Sequence, residues 1–278
     1  VRVANRTIFS PPSAQNPQRH PATDGCMDPR MGVSGKSNPD KCETCGKNLA
    51  NCAGHFGYIQ LELPVFHAGF FKHTLTILQC ICKRCSKVML STQERDEIRA
   101  RLHNGSNKGA LFKAQQFKKV VDSCKSTYRC PSCGYSNGVV KKVGGAFFKI
   151  VHEKYRSKNM PESFLNLHDN NMEKIRNDHP ELKLYTKNID LLNPMRAYEL
   201  LSRIPEEDYE LLWMNGEFST PDTLVMWSVP VPPVPIRPSV PQDMGGGSTE
   251  DDITITLQQV VEMNNALKLA LDRGASMK

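Results

Sequence analysis

The chain has 278 residues, 39% of them hydrophobic and 23% charged, with a net charge of +7. That composition excludes a disordered or fibrous polypeptide, and the length suffices for one large or two ordinary domains with a hydrophobic core. No stretch approaches the ~18 apolar residues that a membrane span requires. The longest uncharged apolar tract, Val225 to Ile236, is interrupted by four prolines.

The charge is divided unevenly. Val1–Met160 holds 26 Lys and Arg against 10 Asp and Glu, a net +16, whereas Pro161–Lys278 holds 10 against 19, a net −9. A basic first half points either to a polyanionic partner, nucleic acid above all, or to a solvated basic face.

In chain order, residues 1–20 read as an extended arm because of Ser10, Pro11, Pro12 and Asn16–Pro17. Pro21–Asn51 is turn-rich, with Asp28–Pro29, Ser34–Gly35 and Asn38–Pro39. Gly57–Leu63 alternates apolar and polar residues and predicts a strand ending before Pro64. Gly69–Ile81 carries Phe70, Leu75, Leu78 and Ile81 at helical spacing. Ser91 and Glu94 form a capping-box pattern for a helix through Arg101 that stops near Gly105. Leu111–Lys142 is the most basic stretch, and Phe147–Val151 reads as a strand. Helices are predicted over Met195–Ile204 and Glu206–Met214. Val229–Pro241, with six prolines, reads as an extended polyproline tract leading to a Gly245–Gly247 tip. Ser248 or Thr249 then caps a final helix with Leu257, Val260, Val261, Leu267 and Leu271 on one face and Gly274 at its end.

Ten cysteines lie well below the roughly 8–10% of a disulfide-dense scaffold, so their spacing is the informative feature. Cys42, Cys45, Cys52 and His55 supply four soft ligands in the pattern C-x2-C-x6-C-x2-H, which suits a tetrahedral zinc ion. Cys82-x2-Cys85 and Cys130-x2-Cys133, separated by 44 residues, predict a second zinc site closed by two knuckles. Gly46 and Gly134 follow their knuckles, where the backbone must turn back; Ser86 stands where a third glycine is expected. Cys124 is a rival fourth ligand of the second site. Cys26, Cys80 and Cys124 otherwise read as small buried hydrophobes, and His67 and His73 as ordinary polar contacts. Each set has four protein ligands and no open position, so both ions would be structural. No phosphate-binding glycine loop, H-E-x-x-H motif or framed carboxylate pair is found.

These residues carry a resemblance. Asp28–Gly32, Cys42–Ile59, Leu63–Phe70, Cys82–Cys85, Cys130–Gly134, Ile150–Lys154, Pro232–Pro233, Arg237–Val240 and Glu250–Asp252, in this order, resemble the N-terminus of the largest subunit of multisubunit RNA polymerases. Glu62–His67 and Leu78–Cys82 are more similar to eukaryotic RNA polymerase III than to polymerase II.

The resemblance implies an α+β fold of mixed helices, short strands and irregular loops: the zinc-stabilised clamp that closes over DNA template and RNA–DNA hybrid. It implies a zinc-binding clamp region at 21–150, a helical clamp part at 151–228, a Pro-rich tract and lid-like loop at 229–256, and the start of a clamp helix at 257–278. It implies two structural Zn2+, held by Cys42, Cys45, Cys52 and His55 and by Cys82, Cys85, Cys130 and Cys133. Arg237 would sit at the base of the lid. Other polymerase subunits, especially the second-largest, would be partners, and the location would be the nucleus.

Lys118, Lys119, Lys141, Lys142 and Arg237 are the expected nucleic-acid-facing residues. The Asp-rich loop that holds Mg2+ in the family is absent from this sequence, so Mg2+ is expected only in the full subunit. The chain alone is expected to be non-catalytic within a nucleotidyltransferase complex. Starting at Val1 rather than Met, it is expected to be a fragment or an incompletely read gene. Rival readings are the equivalent region of polymerase II, a stand-alone zinc-ribbon nucleic-acid-binding protein, and a zinc hydrolase or redox enzyme.

Overall fold

The computed structural model describes residues 1–10, 20–33, 41–105, 109–145, 148–154, 161–184, 188–241 and 248–275. The predicted turns at Ser34–Gly35 and Asn38–Pro39, the Pro11–Pro12 and Asn16–Pro17 part of the arm, and the Gly245–Gly247 tip lie outside them.

The first residues are held by backbone pairing. Val3 N–H donates to Tyr58 O and Tyr58 N–H to Val1 O, both at 2.8 Å. β1 (Phe9–Ser10) pairs antiparallel with β2 (His20–Pro21). β3 (Gly57–Phe66) buries Ile59 and Leu61 and exposes Tyr58 and Gln60, as the period-two pattern predicts. It runs through Pro64 because its sheet has only two strands, leaving one edge that needs no N–H from proline.

His67 Nδ1 accepts from Gly69 N–H at 3.2 Å and opens a short 3-10 turn, after which α1 (Phe71–Cys80) buries Phe71, Ile77 and Leu78. The Ser91–Glu94 capping box forms as predicted and starts α2 (Thr92–Asn104), which stops at Gly105. α3 (Gly109–Ser126) lies in the basic stretch. Its narrow apolar face (Val120, Val121 and Cys124, all buried) is hidden in the sequence among lysines.

β4 (Val139–Lys142), β5 (Ile150–Glu153) and β6 (Ile189–Leu192) form an antiparallel three-stranded sheet. β5 thus sits slightly later than its prediction. Between β5 and β6 lies α4 (Glu162–Asp178), which buries no residue. Asn193 Oδ1 accepts from Arg196 N–H at 2.8 Å and caps α5 (Pro194–Ser202).

Further along the chain, three expectations give way. Glu206–Met214 is not one helix: 3-10 turns at Glu206–Asp208 and Glu210–Leu212 are terminated by Trp213, which is left-handed at φ 58°. The proline tract is not uniformly extended: β7 (Val225–Val231) contains Pro230, and Val234–Ile236 is a 3-10 turn. β8 (Val240–Pro241) pairs with β9 (Ser248–Thr249), so neither Ser248 nor Thr249 caps the last helix. Asp251 does so instead, its Oδ1 accepting from Ile253 N–H at 2.8 Å at the start of α6 (Asp252–Asp272). Gly274, at φ 77°, ends it as expected.

The chain divides into two compact units, Val1–Pro64 with Trp227–Lys278, and Val65–Met226. The first packs Val3, Met27, Met31, Ile59, Val231, Val234, Leu257 and Val261 into one core. The second has a larger core around Ile77, Leu78, Ile81, Met89, Ile150, Leu200 and Leu212. Helices and short, mostly antiparallel strands make the fold α+β.

On β5, His152 lies opposite Val140 and Asp190 and is 3% exposed, and its Nε2 has no hydrogen-bond partner among the described residues. Burial lowers its pKa from 6.5 to about 4, with Lys83 and Lys154 adding to the effect and Asp190 opposing it. The unfolded chain therefore binds this proton more readily. The stability contributed by neutral His152 is complete above 6.5 and is lost as the pH falls towards about 4. Thermal melts should show that His152→Phe removes part of the wild-type loss between these pH values, by up to about 3 kcal/mol; a parallel decline in both proteins would contradict this role.

Candidate metal centres

Each unit contains one four-ligand cluster. The ligand atoms of Cys42, Cys45, Cys52 and His55 lie within 4.8 Å of one another, and so do those of Cys82, Cys85, Cys130 and Cys133.

Local backbone geometry presents these ligands. At the first knuckle, Cys42 N–H donates to Lys47 O at 2.9 Å, and Gly46 N–H donates to Cys42 O at 2.7 Å. The same pair of bonds recurs from Cys82 to Lys87 O and from Ser86 to Cys82 O, and again from Cys130 to Tyr135 O and from Gly134 to Cys130 O. In all three, the residue after the second cysteine is left-handed: Gly46 at φ 68°, Ser86 at 59° and Gly134 at 70°. A serine carries the backbone strain of the second knuckle, and its hydroxyl is buried without a hydrogen-bond partner among the described residues.

The donor sets fit a tetrahedral ion. With metal–sulfur bonds of ~2.3 Å, tetrahedral edges are about 3.8 Å between sulfurs and about 3.6 Å between sulfur and imidazole nitrogen. The Sγ atoms of Cys82 and Cys133 are 3.6 Å apart, those of Cys85 and Cys130 3.6 Å, and those of Cys45 and Cys52 3.5 Å. Cys52 Sγ lies 3.7 Å from His55 Nε2. These spacings far exceed the ~2.05 Å of a disulfide. Backbone N–H groups of Gly54 and Arg84 point at Cys52 Sγ and Cys82 Sγ, both at 3.4 Å, and stabilise thiolate charge.

The two sites differ in environment. The first has only Val33, Cys42 and Cys52 as its buried cluster, and the hydrogen bond with His55 draws the Cys45 thiol down to about 6. In the second, burial pushes the Cys82 thiol up to about 12. A metal binding there displaces a firmly held proton, so its affinity falls as the pH drops.

Longer-range contacts hold both clusters in place. Gly54 and Gly32 pack under the proline tract: a Cβ on Gly54 would come within 2.4 Å of Pro233 Cβ, and one on Gly32 within 2.7 Å of Pro235 Cδ. Asn137 joins the two knuckles of the second site, accepting from Lys83 N–H at 3.1 Å and donating to Ile81 O at 3.2 Å. Asp208, fully buried, accepts from Val88 N–H at 3.2 Å and pairs with Arg99 at 3.3 Å, and Arg95 Nη2 donates to Val88 O at 2.7 Å.

The family named RNA polymerase Rpb1, domain 1, matches residues 1–278. The chain belongs to that family. DNA-directed RNA polymerase III subunit rpc1 of Schizosaccharomyces pombe is 42% identical over 279 residues, covering 99% of this chain and 19% of the relative. Subunit RPC1 of RNA polymerase III from Homo sapiens is 40% identical over 280 residues with the same coverage. DNA-directed RNA polymerase subunit Rpo1N of Methanocaldococcus jannaschii is 31% identical over 264 residues, 95% of this chain and 17% of the relative. This Rpb1-family chain therefore spans about a fifth of the length of these relatives. The resemblance to the N-terminal region of the polymerase III largest subunit is upheld by these matches.

The remaining expected residues of the Rpb1-family domain separate by environment. Lys118 and Lys119 are exposed on α3. Lys141 and Lys142 are exposed on β4; Lys141 Nζ lies 2.9 Å from Glu153 Oε2, and Lys142 sits 5.8 Å from the Phe71 ring centroid. Arg237 faces the protein interior, contrary to expectation. It is 0% exposed, with Nε donating to Pro232 O and Nη1 to Thr254 Oγ1, both at 3.0 Å. It ties the proline tract to α6. Cys26, Cys80 and Cys124 are buried as expected, and Cys124 is not part of the second cluster.

Asn137, Asp208, Arg95 and Arg99 carry no signal in the sequence. Their partners are distant in the chain, and no local pattern marks them. For the knuckle turns, Gly134→Ala should lower metal-bound stability by about 1–2 kcal/mol, because nothing lies within 4 Å and only backbone strain is added. Ser86→Gly should raise it by about 1 kcal/mol. Denaturant midpoints measured with excess metal check both signs.

Proposed function

We propose that this chain is the clamp section of a polymerase III-type largest subunit, with structural zinc in both clusters. The carrying observation is the coincidence of two closed four-ligand clusters with a family match over the whole chain. Bound zinc supplies a redox-inert tetrahedral cross-link and no catalysis, since each set offers four protein donors. Cys42, Cys45, Cys52 and His55 close the turn-rich Lys41–His55 segment of the first unit. Cys82, Cys85, Cys130 and Cys133 join the two ends of the α2–α3 segment in the second.

In this reading the domain grips DNA template and RNA–DNA hybrid without reading sequence. Lys118, Lys119, Lys141 and Lys142 meet phosphates, and the contact is non-specific and salt-dependent. Arg237 serves as an internal tie beneath the β8–β9 pair. The other polymerase subunits, the second-largest foremost, are its neighbours, and its location is nuclear. The polymerase III names of the relatives support this type over polymerase II. Among the described residues no helix is long and apolar enough to cross a membrane.

Two measurements test the proposal. Elemental analysis of the purified chain should give two zinc ions per chain, falling to one in Cys45→Ser or Cys133→Ser. Substituting Lys118, Lys119, Lys141 and Lys142 together by Gln should flatten the dependence of log affinity on log salt by ~0.7–0.9 for each phosphate no longer neutralised. Zinc-free protein, or an unchanged salt slope, would overturn the corresponding half of the reading.

A further inference from the structure

We infer that the groove lined by α2, α3 and the Tyr209–Ser219 segment is a docking site for a partner-protein segment presenting Arg or Lys beside an apolar side chain. The groove lies wholly within the second unit and has a volume of about 830 Å³, room for two or three side chains. Its floor is apolar, with Ile98, Leu102, Val120 and Leu211 all buried.

The walls are aromatic, with Phe117, Tyr209 and Trp213 lining the groove. The Phe117 and Trp213 rings are tilted against each other with centroids 5.9 Å apart, and His73 packs on Phe117 at 5.4 Å. Trp213 remains 48% exposed although it is large and apolar. It also occupies the left-handed region, at φ 58° and ψ 37°, which a bulky L residue rarely adopts. Such strain at a solvent-facing aromatic residue marks a site kept for contact rather than for stability. Beside it the Asn215–Ser219 turn, closed by Ser219 N–H to Asn215 O at 2.8 Å, displays Phe218 at 85% exposure.

The rim fixes the sign of the occupant. Glu206, Glu210 and Glu217 line the groove, against Lys113 as the one cation among its lining residues. These carboxylates come from the acidic half of the chain and face α2 and α3 of the basic half. Burial, with Asp222 and Glu206 nearby, raises the Tyr209 hydroxyl, in keeping with that field. Phosphates are repelled here, whereas a guanidinium or ammonium is drawn both to the carboxylates and to the aromatic faces. Gln116 adds direction: it lines the groove, is 5% exposed, and its Oε1 has no hydrogen-bond partner among the described residues. An incoming N–H can satisfy it.

The full chain with zinc supplied, carrying Trp227→Phe so that Trp213 is the sole tryptophan, provides the readout. The probes are the capped peptides Ser-Arg-Phe-Arg-Ser and Ser-Glu-Phe-Glu-Ser and a single-stranded oligothymidylate. The expected result is a saturable change in Trp213 emission with the arginine peptide, at least tenfold weaker with the glutamate peptide. It should also weaken at least tenfold when the exposed residues Glu206, Glu210 and Glu217 are changed together to Gln. No saturable change with the arginine peptide, equal response to the two peptides, indifference to the Gln variant, or tighter binding of the oligonucleotide would each overturn the inference.

Discussion

Soft donor atoms about 3.6 Å apart in groups of four, three sulfurs and an imidazole nitrogen in the first unit and four sulfurs in the second, are the constraint on which both units depend. Thiolates so crowded repel one another, and thiols leave the cluster with no strong internal bond. A tetrahedral cation removes both difficulties, and the separations match its edges. The need is greatest in the first unit, where Val33, Cys42 and Cys52 are the whole buried cluster around the site. From Cys42 to Asn51 every residue but Cys42 is exposed, so apolar burial contributes little to fixing this segment. The second site works against a real core, and there burial makes Cys82 a poor thiolate until a metal arrives.

Local chemistry explains what the sequence makes legible. Each C-x2-C turn is a short hydrogen-bonded loop, so spacing along the chain carries its geometry directly, and the Ser91–Glu94 cap and the alternation in β3 are local in the same way. The features that escape the sequence are those decided at a distance. Arg237 looks like a surface cation until Pro232 and Thr254 enclose it. Asp208 matters because Val88, 120 residues away, needs an acceptor. The apolar face of α3 is meaningful only once α1 lies against it, and the proline tract bends into a 3-10 turn where Gly32 and Gly54 make room for it.

The uneven charge of the sequence takes on more detail in three dimensions. The second unit is not a uniformly basic surface. Lysines project from α3 and β4, while Glu206, Glu210 and Glu217 form an acidic rim around an aromatic groove in the same unit. In the proposed reading, the nucleic-acid grip and the protein contact are carried by opposite fields within the second unit. The knuckle turns, Asn137 and the Asp208 network hold those elements together.

In the proposed reading, metal closure, more than core burial, holds the knuckle segments. The decisive measurement is amide hydrogen exchange of the chain with zinc bound and after anaerobic chelation. On metal removal, protection should collapse across Lys41–His55 and at the Cys82–Val88 and Cys130–Ser136 turns, while the α6 amides near Leu257 and Val261 stay protected. Unchanged exchange in the three knuckles after complete zinc loss would show instead that the polypeptide holds them without the metal.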